Sequence, residues 1–213
     1  TLQSSRQSSM MDAKITDLIY RINGLVPKDV CKFFINFYEK HNQLAQLETS
    51  YKFKENKITR DNFGCINLSQ LRDKNYNKEL YHEFEKPFEL ASNYISIMIA
   101  NYVLYIKQNI CPTFSDLFIK QTDNIRILKY DVGEYIGDHA DVGPSIRASC
   151  TLNLNEDYEG GDFRFFDGKV KHQFKTGDAM LFPAEPIWIH GTEPITKGTR
   201  YSINCFLKND KIT

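Results

Sequence analysis

Residues 147–154, Arg-Ala-Ser-Cys-Thr-Leu-Asn-Leu, alternate polar and apolar side chains without a break. In a β-strand, neighbouring side chains point to opposite faces. Arg147, Ser149, Thr151 and Asn153 therefore share one face, and Ala148, Cys150, Leu152 and Leu154 the other. Such a strand can set its apolar side against helices or a second sheet and its polar side toward a lumen or solvent. The pattern returns near the C-terminus, where Arg200, Ser202 and Asn204 oppose Tyr201, Ile203 and Cys205.

Working outward, a period of two runs from Asn124 onward. It predicts strands near 124–131, 135–141, 146–155, 161–167, 169–174, 178–183, 187–195 and 199–208. Gly143-Pro144, Gly160-Gly161, Asp167-Gly168, Gly177 and Lys197-Gly198 punctuate them, with Gly160-Gly161 read as a tight turn. Eight short strands separated by turn signals point to a sandwich or a barrel-like jelly roll. The earlier part reads helical. Residues 15–26 are a strand or the start of a helix, Pro27 opens a helix over the apolar-periodic KDVCKFFINFYEKHNQL, and a second helical region spans about 78–108 with Pro87 breaking it or starting its successor. Residues 50–77 are polar and turn-rich and carry no assignment. The fold class expected is α+β, mainly β. Residues 12–213 form one domain in this reading, with helical support over about 12–123 and a core over about 124–208.

Composition narrows the partners. Lys+Arg and Asp+Glu both number 27, and no run of five like charges occurs, so nothing asks for nucleic acid or an anionic membrane. The five cysteines are scattered, never in a C-x-x-C arrangement, and read as reduced packing residues. The stretch before Lys14 has no apolar core, and Met10-Met11 marks residues 1–11 as a disordered tail or as expression-vector residues. The most apolar run, residues 94–106, is too short for the roughly 20 residues a membrane span needs. A cytoplasmic protein is the expectation.

Within Tyr135-Ile136-Gly137-Asp138-His139-Ala140-Asp141, His139 and Asp141 stand two apart, a spacing that lets both reach one ion from one face of an extended chain. His190, some fifty residues on, completes two histidines and a carboxylate, the facial set that suits non-haem Fe(II) and leaves coordination positions open. Arg200 then has a use, since a 2-oxoacid that chelates iron at one end needs a cation for its distal carboxylate, and guanidinium offers a two-bonded fork. Ser202, on the same face, adds a hydroxyl. Of the other histidines, His41 and His82 read as exposed, and His172 as a surface residue.

With those residues in order, the chain resembles the iron(II)- and 2-oxoglutarate-dependent dioxygenases of the prolyl 4-hydroxylase-like group. The likeness spans residues 124–208, through LKYDVGEYIGDHAD, LNLNEDYEGGDFRFF, TGDAMLFP and IHGTEPITKGTRYS. It implies a double-stranded β-helix core, His139, Asp141 and His190 as ligands to Fe(II), and Arg200 and Ser202 as contacts to 2-oxoglutarate. Tyr130, Asn153 and Thr151 join them as co-substrate contacts. Arg147 and Trp188 are candidates for the substrate side. Dioxygen is the second co-substrate, ascorbate is admitted as a reductant, and a prolyl residue in a peptide or protein is the implied target. Collagen-type enzymes usually carry lysine where Arg200 stands, and nucleic-acid demethylases carry a second arginine where this chain has Phe206. The rival reading is a non-catalytic jelly roll that keeps a metal such as zinc for recognition; hydroxylation of a free amino acid or another side chain is the alternative within the enzyme reading.

Overall fold

The computed structural model describes residues 13–52, 57–119 and 121–209. The expected tail, residues 1–11, lies outside them. A 3-10 turn at Ile15–Leu18 leads into β1 (Tyr20–Ile22), and α1 (Lys28–Lys40) follows directly after Pro27. The unassigned stretch 50–77 falls largely in a hairpin, β2 (Gln46–Lys52) and β3 (Lys57–Asn67), and a short α2 (Leu68–Leu71). Next come α3 (Tyr81–Asn109), β4 (Gln121–Tyr130) and β5 (Ile146–Asn153). Four short strands, β6 (Glu159–Gly160), β7 (Phe163–Phe165), β8 (Val170–His172) and β9 (Ala179–Pro183), precede β10 (His190–Thr192), β11 (Ile195–Lys197) and β12 (Arg200–Lys208).

The strands form a seven-stranded antiparallel sheet in the order β1-β9-β5-β12-β4-β3-β2, a three-stranded sheet β10-β7-β8, and the pair β11-β6. One face of the large sheet is the hydrophobic floor of the molecule. Cys150, Leu152, Ile203, Cys205, Ile125 and Ile127 pack there against α1 and α3. Phe84, Pro87, Ala91, Ile95, Met98, Tyr102 and Ile106 make one buried stripe along α3 at helical spacing, which is why the helix lies flat on the sheet.

Pro87 neither breaks nor restarts that helix. It sits inside α3 on the buried stripe, where apolar contact offsets the backbone hydrogen bond its ring cannot make. The strand expected at 135–141 is absent. Residues 131–145 form a loop, touching the sheets through an isolated bridge between His139 and His190. His41 is buried rather than exposed, its ring wedged against Phe37 and Phe84 with Nε2 3.3 Å from Glu83 Oε2. Among the described residues no helix is long and apolar enough to cross a membrane.

Candidate metal centre and cavity

The opposite, polar face of the large sheet looks into a cavity of about 530 Å³, a size suited to a small organic ligand. Strand register sets its wall. Arg200 lies across from Tyr130, Ser202 from Leu128 and Asn153, and Asn204 from Arg126 and Thr151. The small sheet closes the other side with Phe163 and Thr192.

His139, Asp141 and His190 meet at one end, each offering a ligand atom within 4.8 Å of the others. The loop that carries the first two is zipped onto β10. His139 N donates to His190 O at 2.9 Å, His190 N to His139 O at 2.8 Å, and Thr192 N to Ile136 O at 3.0 Å, while Ile136 N donates to Thr192 Oγ1. Gly191 permits this approach, because a Cβ there would stand 2.9 Å from both Asp138 Oδ1 and the carbonyl oxygen of Ile136.

Both imidazoles are oriented from behind. His139 Nδ1 lies 2.9 Å from the Gly137 carbonyl and His190 Nδ1 2.9 Å from the Trp188 carbonyl. A carbonyl only accepts, so each Nδ1 carries the proton and each Nε2 presents its lone pair. Those Nε2 atoms face the two oxygens of Asp141 at 3.3 Å. Acceptors converging in this way are mutually repulsive unless a proton or a metal ion lies between them. Burial works to raise the Asp141 pKa, but His190 and His139, in the state that carries a proton on Nε2, pull it well below the ordinary carboxylate value. Ser149 Oγ donates to Asp141 Oδ2 at 2.5 Å and fixes the carboxylate from the sheet side. Two imidazole nitrogens and one carboxylate, with no fourth such donor in the cluster among the described residues, fit a six-coordinate Fe(II) with open positions better than a four-ligand structural zinc.

At the other end Arg200 is 2% exposed. Its Nε donates to Asn153 Oδ1 at 3.2 Å, and its guanidinium carbon lies 5.5 Å from the Tyr130 ring centre and 5.8 Å from that of Phe174. No carboxylate among the described residues pairs with it. A buried cation without an anion is costly, and Arg200 faces the cavity.

Residues 125–208 match the family model of the 2OG-Fe(II) oxygenase superfamily. The likeness to that superfamily is carried by this segment. It is 32% identical to a PKHD-type hydroxylase of Idiomarina loihiensis over 92 residues, in a match that covers 39% of this chain and 41% of the relative. It is 37% identical to a PKHD-type hydroxylase of Hyphomonas neptunium over 89 residues, in a match that covers 35% of this chain and 38% of the relative. The chain thus spans about two fifths of the length of these curated relatives. The overall fold is shared more widely. A prolyl hydroxylase of Trichoplax adhaerens, solved with a hypoxia inducible factor oxygen degradation domain peptide, superposes with TM-score 0.63 at 15% identity, covering 92% of this chain and 86% of that one. A Pseudomonas putida prolyl-4-hydroxylase gives 0.61 at 16%, covering 91% and 93%. The chain therefore has an α+β fold related to the jelly-roll hydroxylases.

Within the matched segment, the triad, Arg200, Ser202, Tyr130 and Thr151 all line the cavity. Three other expected residues do not. Asn153 is fully buried behind the wall, where its Oδ1 accepts from Arg200 and from the Tyr158 hydroxyl. Trp188 packs into an aromatic cluster with Phe163, Phe165 and Phe182, and only its carbonyl serves His190. Arg147 folds back onto the Ile146 carbonyl. Sequence reasoning missed Ser149 and Gly191, whose one signal was a position beside or across from a ligand, and it missed Arg126, on a strand that it did predict, and Glu48, from β2, for which it read no element.

Proposed function

We propose that this chain is an Fe(II)- and 2-oxoglutarate-dependent dioxygenase that hydroxylates a C–H bond, with a prolyl residue in a peptide or protein as its target, and that its two facing sheets are the halves of a double-stranded β-helix. The observation that carries the reading is Arg200, a buried cation aimed into the same cavity as a two-histidine, one-carboxylate cluster. A 2-oxo diacid answers both ends at once, with its keto-acid end at the metal and its distal carboxylate in the guanidinium fork.

His139 and His190 hold the metal through Nε2 and Asp141 through its carboxylate, each fixed by its own second partner. Asn153 orients Arg200, while Tyr130, Ser202 and Thr151 bring hydroxyls to the same wall. Phe163, Phe182 and Ile136 keep the space apolar around these groups and so exclude water that would compete for the ligand. When bound, iron with 2-oxoglutarate and dioxygen supplies the oxidising power, the co-substrate leaving as succinate and carbon dioxide while the substrate C–H becomes C–OH. For the target, support comes from the fold shared with prolyl hydroxylases and from Val132, Tyr135 and Val142, exposed by 63%, 41% and 58% on the loop that carries His139 and Asp141. Apolar side chains at such a rim suit a peptide laid across it.

The test is succinate formation by anaerobically iron-loaded protein once air is admitted, with and without proline-rich peptides, beside His139→Ala. Peptide-stimulated turnover and a hydroxylated product by mass, both lost in the variant, are expected. Folded, iron-loaded protein that makes no succinate under any of these conditions would sink the reading.

A further inference from the structure

The proposed mechanism leaves one charged pair in the cavity unused. Arg126 and Glu48 both line it, joined by a contact of 3.2 Å between Arg126 Nη1 and Glu48 Oε2. The strands place Arg126 at the metal end. It lies across from Asn204, four residues along β12 from Arg200 and so about 13 Å away along the sheet. Its guanidinium carbon sits 4.8 Å from the ring centre of Phe206, whose partner on β5 is Ser149, the residue that holds Asp141. By register, one arginine therefore stands on the half of the sheet toward the triad and the other at the far end.

Two features show that Arg126 is poised for an anion rather than spent on Glu48. Its Nε is buried and has no hydrogen-bond partner among the described residues, whereas buried donors are almost always paired. Glu48 occupies Nη1, which leaves the Nε edge, one of the edges through which guanidinium grips a carboxylate in a two-bonded fork. Burial opposes the charge on Arg126, but Glu48 and then Cys65 and Asp141 outweigh it and raise its pKa.

We infer that Arg126 binds the carboxylate at the keto-acid end of 2-oxoglutarate, the end proposed to chelate the metal, so that the dianion is gripped by one arginine at each end; this rests on the co-substrate assignment proposed above. Glu48 holds the guanidinium in place and tempers its charge, which keeps Arg126 from competing with the metal for the same oxygens. The two arginines then divide the work. Arg200 selects for length and a second carboxylate, and Arg126 for the 2-oxoacid head.

The experiment is calorimetric binding, under argon, to protein loaded with Mn(II), using 2-oxoglutarate and 2-oxopentanoate, which keeps the head and lacks the distal carboxylate. Arg126→Gln is expected to weaken both acids by roughly tenfold or more, the weight of a charge-assisted bond, with Mn(II) affinity retained as the check on folding. Arg200→Gln should weaken 2-oxoglutarate alone. Glu48→Gln, which frees Nη1, should tighten both acids by about threefold, and it tests the idea even if Arg126→Gln does not fold. Arg126→Gln that binds both acids as the parent does, or that weakens only 2-oxoglutarate, overturns the inference and leaves the co-substrate assignment standing. Parent protein that binds Mn(II) but neither acid removes that assignment as well.

Discussion

The two ends of the cavity are built by different means. The metal end stands on a loop, residues 131–145, held against β10 by a few backbone hydrogen bonds and one glycine. The Arg200 end stands on long neighbouring strands whose register alone sets Arg200 against Tyr130 and Ser202 against Asn153. The first is a geometry assembled from close contacts and fails when one of them is displaced. The second is a scaffold with a charge placed in it, and its chemistry can be removed while its structure stays.

The largest effect should come from filling the space at Gly191. In Gly191→Ala the added Cβ would press on the Ile136 carbonyl and on Asp138 Oδ1 at 2.9 Å. A backbone oxygen cannot rotate away, so the loop bearing His139 must shift. We expect a stability loss of about 1–3 kcal/mol and a roughly 10- to 100-fold fall in Mn(II) or Fe(II) affinity, as when groups that orient metal ligands are disturbed. Thermal melts and metal titration would measure both. Unchanged metal affinity would mean that the loop is set by something other than its fit to β10.

Arg200→Met should separate function from stability. The guanidinium is buried with neutral partners only, Asn153 and the Gly161 carbonyl, and an apolar side chain of similar length removes an uncompensated charge. The expected result is a melting temperature equal to or above that of the parent, with 2-oxoglutarate binding weakened about 100-fold, in keeping with loss of a two-bonded carboxylate fork. A variant that unfolds would show instead that Arg200 is part of the scaffold.

The same contrast explains what could be read in advance. The strand faces around Arg200 were legible because alternation is a local signal that burial of one face enforces; Cys150, Leu152, Ile203 and Cys205 do pack on the helices, and Ser149, Thr151, Ser202 and Asn204 do face the cavity. The triad was legible because few residue types bind metals, although the strand predicted to carry His139 is a loop. Pro87 misled because a buried stripe outweighed a backbone preference. The hairpin β2–β3 left no trace, since its residues are polar and turn-rich and its place is set by pairing with β4. With it went Glu48, and with Glu48 the reason to notice Arg126. His41 looked exposed among charged neighbours, yet it is buried by Phe84 from a helix forty residues away.

The smallest expected effect lies outside both ends and uses His41, which is buried, and His172, which is half-buried. Burial lowers the pKa of His41 below 6.5, against the pull of Glu83, and burial and then Arg21 lower that of His172. His172 Nδ1 lies 3.4 Å from Arg21 Nη1 and accepts from it only when neutral. A depressed folded pKa means that the unfolded chain binds the proton more readily. The stabilisation is therefore complete above about pH 6.5, the unfolded value, and is lost as pH falls through the folded values. Melting temperature should drop between pH 7 and pH 5, by on the order of a few degrees. His172→Gln, which keeps a side-chain acceptor for Arg21 and has nothing to titrate there, should flatten part of that slope while leaving metal and 2-oxoglutarate binding at their parental levels. An unaltered slope in that variant would leave the pH dependence to His41, packed between α1 and α3, and would show that the Arg21–His172 contact adds nothing to the stability of the scaffold.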